Sequence, residues 1–266
     1  MNLTLDEFGD LLATLLPRDN RPVVAYTGIW TFARIFPMPL KDVPEAILGK
    51  ILEIVGPDRT LLMPCYTSGF NDGVIDLDNE PGNTGIVNEL LRKTPRARRT
   101  ASAFFSFAAL GPQADEVANL RPRDAWGDGS LFEWIEHKDA HVLVLGVPWR
   151  MCSFLHRVEW LAQCPYRYLK EFAGEMIRDG KREPLMERLF VRNLDPLASN
   201  TWPHLDTILL EGGMRSFPLG QGRVAEIGAR SLVTVLMPRI TSDPFAFVKN
   251  PEFLRSRLVK TATGKN

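Results

Sequence analysis

His141 to Trp160 reads HVLVLGVPWRMCSFLHRVEW, and this stretch indicates how the chain folds. The residues from His141 to Val147 are mostly apolar and rich in β-branched side chains, and a run this short is typical of a buried strand. Gly146 and Pro148 end the strand, and a second apolar segment follows a short polar turn. Because α/β proteins place their functional groups where strands end and loops begin, we expect chemistry directly after this strand.

His156 and Glu159 lie in the second apolar segment, three residues apart. On a helix this spacing puts the imidazole and the carboxylate on one face, one turn apart. A neutral imidazole can remove a proton near neutral pH, and a carboxylate can hold it in one tautomer. The alternative is a satisfied histidine beside a solvated glutamate. The pair taken alone favours this alternative, since such pairs are common on helix surfaces.

The composition is that of an ordinary globular protein, with 266 residues, 45% hydrophobic, 24% charged, and a formal net charge of zero. A zero balance argues against nucleic acid or an anionic membrane as the main partner. The acidic N-terminus lacks the features of a signal peptide, and no apolar run approaches the ~20 residues of a membrane span. Cys65, Cys152 and Cys164 fit reduced thiols, so we expect a cytoplasmic protein. His137 and His141 straddle a charged turn, and no metal is expected there.

Strand-like and helix-like segments alternate along most of the chain. This alternation predicts an α/β fold, a three-layer αβα sandwich with a central mixed sheet and an α+β excursion after residue 160. We expect one domain over residues 1–266, with 161–220 as a substrate-side sub-domain. The expected strands are 22–26, 60–63 and 141–147. The expected helices include 4–15, at whose start Thr4 and Glu7 fit a capping box, 85–93 and 225–240, and 69–84 is expected to be a long surface loop.

Two further patterns have both a structural and a functional interpretation. Five basic residues lie between Arg92 and Arg99, where they either complement a helix dipole or bind an anion; the first reading is favoured from the residues alone. Gly220 to Ala225 matches G-x-G-x-x-A but follows no convincing strand, so it is weak as a dinucleotide fingerprint. The chain has no G-x-S-x-G elbow, P-loop or H-E-x-x-H motif.

Five segments, in order along almost the whole chain, resemble one known family, the CoA-dependent aminoglycoside 3-N-acetyltransferases, which are unrelated to the GNAT fold. The segments are VVAYTGI (23–29), GPDRTLLMPCYTSGF (56–70), GIVNELLRKTPRARRTASAFFSFAALG (85–111), VLVLGVPWRMCSFLHRVEW (142–160) and GRVAEIGARSLVTVLMPRITSDPFAFV (222–248). The fourth segment is similar to the family's LLLGV strand followed by T-x-x-H-x-x-E.

The resemblance implies transfer of an acetyl or longer acyl group from acyl-CoA, as cosubstrate, to a primary amine of a sugar-like small molecule. It implies that His156 is the general base, that Glu159 orients it or contacts the acceptor, and that no metal takes part. The residues that it places along CoA are Thr27, Gly28, Arg99, Thr100, Ser102, Phe105, Ser106 and Phe107. The residues expected to face the acceptor are Tyr66, Asp128, Arg150 and Arg157.

The chain departs from the family pattern at several of these positions. Tyr26 stands where the family has histidine, and Gly28 stands where it has serine. Arg150 and Arg157 near the base would repel a polycationic drug and suit an acceptor that carries phosphate. We therefore expect a nucleotide-linked amino sugar as the acceptor. A true aminoglycoside 3-N-acetyltransferase that confers antibiotic resistance is the alternative.

Two readings of other classes stay open. A non-catalytic member could bind CoA or an acyl carrier without turnover, which the departures at Tyr26, at Gly28 and at Ser102-Ala103, where the family has His-Pro, would explain. A hydrolase could use Cys65 or Cys152 as its nucleophile. The sequence leaves open the acyl chain length, the acceptor, the role of Tyr26 and the oligomeric state, for which a homodimer is one option.

Overall fold

The computed structural model of the protein describes residues 2–67, 70–195 and 198–262. The strands in these ranges are β1 (Val23–Thr27), β2 (Leu61–Pro64), β3 (Val74–Asp76), β4 (Arg98–Arg99), β5 (Phe107–Leu110), β6 (His141–Leu145), β7 (Arg167–Arg178), β8 (Lys181–Arg192), β9 (Arg215–Leu219) and β10 (Gly222–Gly228). The α-helices are α1 (Leu5–Leu15), α2 (Val43–Val55), α3 (Ile86–Lys93), α4 (Ala114–Ala118), α5 (Leu131–His137), α6 (Leu155–Leu161), α7 (Leu205–Glu211), α8 (Ala229–Ser242) and α9 (Pro251–Ala262).

The main sheet is mixed, with the strand order β4-β5-β2-β1-β6-β10-β9. β1 pairs in parallel with both β2 and β6, whereas the outer strands run antiparallel. The carboxyl ends of the three parallel strands therefore meet at one edge of the sheet, at Thr27, Pro64 and Leu145. This edge is where an open α/β sheet binds its ligands.

Helices cover both faces of this sheet, and the alternation of side chains along β1 shows how. Val23 and Ala25 pack with α1, α2 and α3, whose apolar faces include Phe8, Ile51 and Leu91. Val24 and Tyr26 point the other way and pack with α5, α6 and α8. The period of two along a strand thus gives each face its own core. The predicted α/β architecture with a central mixed sheet is confirmed.

A second sheet, in the order β3-β7-β8, contains a long hairpin that lies after residue 160. Its strands pair in register from Arg167 with Arg192 to Arg178 with Lys181. β9, although it lies within the predicted 161–220 sub-domain, belongs to the main sheet. The role of that segment on the substrate side stays a prediction.

The surface loop expected over residues 69–84 is wrong in part, because Val74–Asp76 form β3. These residues pair with Glu175–Ile177 of β7, about a hundred positions later in the chain. Three residues are too few to show a period, and the strand exists through a partner that sequence patterns do not reveal. Gly69, the first residue of the expected loop, and Ser68 before it lie outside the described residues.

The helix expected to begin at residue 225 begins instead at Ala229. Residues Gly222–Gly228 form β10, which lies between β6 and β9 in the main sheet. Pairing on both sides decides the strand where local propensity does not. The G-x-G-x-x-A pattern consequently covers the two-residue turn of the β9–β10 hairpin, with Gly220 at a φ of 60°, and the first four residues of β10. A dinucleotide-binding turn would instead join a strand to the helix that follows it.

The first helix follows its sequence signal closely. Thr4 and Glu7 form the predicted capping box at the start of α1, each side chain bonding the other's backbone N–H. Across the ranges that the structure describes, no helix is both long enough and apolar enough to cross a membrane.

We expect Gly146→Ala to destabilise the protein far more than Gly129→Ala. Both glycines have positive φ, 71° and 72°, which costs an L-residue about 1 kcal/mol. A Cβ on Gly146 would also lie 2.4 Å from the Gly28 oxygen, whereas nothing lies within 4 Å of one on Gly129. Urea unfolding should give a loss of about 3 kcal/mol or more for Gly146→Ala and about 1 for Gly129→Ala. Equal losses would contradict the close packing at the end of β6.

Candidate active site

His156 and Glu159 lie together on α6, directly after β6 and its turn. The imidazole Nδ1 is 2.6 Å from Oε2 of Glu159. The carboxylate side chain has no exposure to solvent, while the histidine side chain is 28% exposed. The i,i+3 geometry expected from the sequence is therefore present, with the acid beneath the base.

Three further side chains hold the Glu159 carboxylate, and none of them was found by sequence reasoning. The Tyr166 hydroxyl donates to Oε1 at 2.6 Å, the Asn200 amide donates to Oε1 at 2.7 Å, and Arg167 Nη2 lies 2.8 Å from Oε2. Tyr166 and Arg167 stand at the start of β7, only a few residues after His156 and Glu159. This short separation in sequence was a signal that they could contact the two side chains. Asn200 is 41 positions from Glu159 and gave none.

These contacts decide the protonation of both groups. Burial alone would raise the pKa of the Glu159 carboxyl, but His156, Arg167 and Tyr166 together lower it to about 2. Burial and the Arg167 guanidinium lower the pKa of His156, against the opposing effect of Glu159. Near neutral pH the site therefore holds a carboxylate and an uncharged imidazole.

The tautomer follows from the shortest contact of the ring. Arg167 Nη2 lies 3.1 Å from Nδ1, but a guanidinium can only donate, and the carboxylate at 2.6 Å is the stronger partner. Nδ1 consequently carries the proton and donates it to Glu159. The lone pair of Nε2 is left to accept a proton.

Aromatic side chains form a wall beside the imidazole. The ring centroid of Trp126 lies 5.4 Å from that of His156 in an edge-to-face arrangement. Phe105 lies 4.8 Å from Trp126, and Tyr66 lies 5.1 Å from Phe105. The wall leads from the histidine to the end of β2.

A cleft of about 360 Å³ opens at the carboxyl ends of the three parallel strands, and we name it the strand-end cleft. Its lining residues are Tyr26, Thr27, Trp30, Pro64, Tyr66, Asn83, Thr84, Gly85, Asn88, Val147 and Met151. Thr27 donates its hydroxyl proton to Asn88 at 2.7 Å. A Cβ on Gly28 would lie 2.4 Å from the Trp30 ring, so only glycine lets this indole lie across the end of β1.

A second cavity, of about 200 Å³, lies between the 100–105 segment and the β7–β8 hairpin, and we name it the hairpin cavity. It is lined mainly by apolar side chains, with Glu187 among the polar ones. Glu187 accepts hydrogen bonds from the Ser102 hydroxyl and the Ala103 N–H, and burial raises its pKa. His156 lines neither of these two cavities and lies beyond the aromatic wall from the hairpin cavity.

The residues predicted to lie along CoA fall into separate places. Thr27 lines the strand-end cleft, and Gly28 lies beside it. Thr100, Ser102 and Phe105 line the hairpin cavity.

The other three predicted CoA residues make internal contacts. Arg99 donates to the Cys65 and Leu77 carbonyl oxygens and to the Ser106 hydroxyl. Ser106 is buried and donates to the Cys65 oxygen as well. Phe107 is fully buried and packs beneath Tyr66. These side chains support the walls of the site from within.

The four residues expected to face the acceptor also lie in different environments. Tyr66 lines the strand-end cleft, and Asp128 and Arg150 are exposed. The Arg157 side chain is 4% exposed and points away from His156. It bonds Glu136 at 2.7 Å and the Trp126 carbonyl at 2.6 Å. The positive charge of Arg157 is therefore paired inside the protein.

The cysteines do not have the properties of nucleophiles. Cys65 and Cys152 are buried, and burial raises the pKa of Cys65 to about 11 and that of Cys152 to about 12. Neither supplies a thiolate near neutral pH, and the cysteine hydrolase hypothesis loses its basis. Among the described side chains, no group of three or more His, Cys, Asp or Glu could hold a metal ion.

Glu159→Gln should remove a stabilising contribution that depends on pH. The folded pKa of about 2 lies below the ordinary 4.5, so the contribution is complete above about pH 4.5 and is lost as the pH falls towards 2. At pH 7 the variant should be less stable by about 3 kcal/mol, as urea unfolding can measure.

The exposed Glu171, paired with Arg123 on the hairpin, gives a matched control. Glu171→Gln should change stability by less than about 1 kcal/mol. The difference between the wild type and Glu159→Gln should shrink from pH 5 to pH 3. A difference that stays constant over this range would contradict the assigned charge state.

Comparison with known proteins identifies the family. The model of the family described as aminoglycoside 3-N-acetyltransferase matches residues 38–241. The chain is 28% identical over 219 residues to aminoglycoside N(3)-acetyltransferase IV of Salmonella sp, covering 80% of each chain. It is 29% identical over 160 residues to aminoglycoside N(3)-acetyltransferase IX of Micromonospora chalcea, covering 52% of this chain and 57% of that one.

Solved structures show the same fold. The apoenzyme of aminoglycoside acetyltransferase AAC(3)-IVa superposes with a TM-score of 0.73 at 22% identity, over 96% of this chain and 98% of that chain. The binary complex of AAC-IIIb with CoASH superposes with a TM-score of 0.75 at 20% identity, over 91% and 97%. The chain therefore belongs to the aminoglycoside 3-N-acetyltransferase family, a family of CoA-dependent N-acetyltransferases.

Proposed function

We propose that this protein transfers an acetyl group from acetyl-CoA to a primary amine of a sugar-like acceptor, with His156 as the general base. The observation that carries the proposal is the neutral imidazole, whose Nδ1–H is held by a fully buried carboxylate. A charged imidazolium could not accept a proton, and a freely rotating ring would present either nitrogen. Arg167 helps to keep the imidazole uncharged, and the hydrogen bond to Glu159 fixes which nitrogen carries the proton.

The reaction needs few groups beyond this pair. The amine nitrogen attacks the thioester carbon, and the carbonyl π electrons move to oxygen. Nε2 of His156 takes the proton that the amine nitrogen loses as the new bond forms. The tetrahedral adduct then expels the thiolate, which receives the proton and leaves as CoASH, while the acceptor becomes an amide. Glu159 stabilises the imidazolium that exists between these steps.

The strand-end cleft is the place where we expect the pantetheine arm of CoA. The Thr27 and Thr84 hydroxyls donate their protons within the protein, to Asn88 and to the Pro64 carbonyl, so their oxygens can accept from the amide N–H groups of pantetheine, and the other walls are largely apolar. Gly85 lines this cleft and immediately precedes α3, and a helix N-terminus is a favourable place for a phosphate. Of the predicted CoA residues, Thr27 and Gly28 fit this placement best.

The choice of acceptor depends on where positive charge is available. The hypothesis of a nucleotide-linked amino sugar rests on Arg150 and Arg157, but only Arg150 keeps an exposed guanidinium. The support for a phosphate-bearing acceptor is therefore weaker than the sequence indicated. We propose an aminoglycoside as the acceptor, and the nucleotide-linked amino sugar remains the second candidate because of Arg150.

His156→Ala should lower kcat for acetyl transfer by about 10³-fold, because a general base contributes roughly 10²–10⁴. The Kd for CoA should stay within twofold of that of the wild type, as calorimetry can measure. His137→Ala gives a control, since His137 is exposed at the end of α5. A His156→Ala variant with kcat near that of the wild type would overturn the proposal. A wild type that binds CoA without turnover would favour the binding-module reading.

Thiol release from acetyl-CoA separates the two acceptors. We expect kcat/KM for gentamicin to exceed that for a UDP-linked amino sugar by at least tenfold. Arg150→Glu should leave the gentamicin value unchanged or raise it, since it replaces a repelling charge by an attracting one. The opposite order of substrates, with a large loss in Arg150→Glu, would establish the nucleotide-linked sugar instead.

A further inference from the structure

The hydroxyl of Ser153 lies between two phenol groups. Ser153 Oγ is 3.0 Å from the Tyr26 hydroxyl, and it is also hydrogen-bonded to the Tyr66 hydroxyl. Ser153 is 5% exposed and Tyr26 is 3% exposed, while Tyr66 is partly exposed. The three oxygens form a chain that starts in the core under β1 and ends at Tyr66 in the strand-end cleft.

A count of protons shows that this chain has one donor to spare. Three hydroxyl groups carry three protons, and the two hydrogen bonds between them use two. If Tyr26 donates to Ser153, and Ser153 donates to Tyr66, the phenol proton of Tyr66 is the one left over. Burial raises the pKa of both phenols, so both remain protonated donors near neutral pH.

Two separate chains of contacts join Tyr66 to His156. On one side they are joined through Ser153, which bonds Tyr66 and lies one turn before His156, whose N–H bonds the Ser153 carbonyl at 3.1 Å. On the other side they are joined through Phe105 and Trp126. These five residues form a closed ring of contacts that links the imidazole of His156 to the phenol of Tyr66 at the strand-end cleft.

We propose that the Tyr66 hydroxyl donates a hydrogen bond to the thioester carbonyl oxygen as that oxygen becomes negative, and that Ser153 and Tyr26 position it. The inference rests on the proposed acyl transfer. No proton is transferred from Tyr66. The amine nitrogen forms its bond to the carbonyl carbon, and the electron pair that moves to oxygen returns when the thiolate leaves. Preorganised donors of this kind act only where charge develops.

A purely structural role explains the arrangement less well. Tyr66 packs on Phe105 and Phe107, so its ring is fixed without the hydroxyl. Burying Tyr26 and Ser153 beside each other has a desolvation cost that an apolar pair at the same place would avoid. A chain of buried donors that ends at a partly exposed phenol has an effect only if that phenol has something to bind.

The test compares single-atom deletions. Tyr66→Phe should lower kcat by about 10²-fold with the Kd for CoA within twofold of the wild-type value, because an oxyanion donor is used in the transition state. Tyr26→Phe and Ser153→Ala should lower kcat less, by about threefold to tenfold. Tyr168→Phe is the matched control, since Tyr168 is 54% exposed and should show wild-type kcat. The assay uses acetyl-CoA with gentamicin, or with the UDP-linked amino sugar if only that is acetylated.

The outcomes separate this inference from the proposal on which it depends. If His156→Ala abolishes transfer but Tyr66→Phe keeps kcat within twofold of the wild type, the oxyanion role is wrong and the acyltransferase proposal stands. If Tyr66→Phe weakens CoA binding by the same factor as it lowers kcat, Tyr66 is a binding residue and the inference is equally wrong. If His156→Ala stays active, the base assignment fails whatever Tyr66 does.

Discussion

The site depends on a carboxylate that has no contact with water. Placing the Glu159 charge in the interior is costly unless hydrogen bonds and an opposite charge replace its hydration. Tyr166, Asn200, Arg167 and His156 supply these. These four partners come from three parts of the chain: α6 itself, the start of β7, and the segment before α7. The same interaction that keeps Glu159 ionised therefore also joins the second sheet to the helix that carries His156.

The main sheet explains why the helix that carries His156 and the strand-end cleft lie at the same edge of the sheet. β1, β2 and β6 are parallel, so the loops after them leave from one edge. Tyr66 follows β2, Thr27 ends β1, and α6 with its histidine follows β6. A sheet with another strand order would separate these loops. The catalytic assignment is consequently a result of topology as much as of residue type.

The sequence predicted the parts of this arrangement that are local. The spacing of His156 and Glu159, the capping box at Thr4 and the end of β6 at Gly146 each depend on residues within one or two turns. β3 could not be predicted, because its three residues are a strand only beside β7. Asn200 could not be assigned to Glu159, since it lies 41 positions away and approaches the carboxylate only through the tertiary fold. The expected role of Arg157 changed for the same reason: its partner, Glu136, lies 21 positions away on α5.

The lowered pKa of His156 has a consequence for the order of events in the proposed reaction. An alkylamine has a pKa of about 10, well above that of this imidazole, so His156 cannot deprotonate a free ammonium efficiently. The acceptor must arrive as the minor, uncharged amine, and its proton becomes acidic only as nitrogen bonds to the thioester carbon. Proton removal by Nε2 and growth of charge on the carbonyl oxygen then occur together. An imidazole that is a weak base but always uncharged is effective in such a step only if a hydrogen-bond donor stabilises the carbonyl oxygen at the same moment. For this reason we treat His156 and the hydroxyl chain that ends at Tyr66 as one catalytic unit.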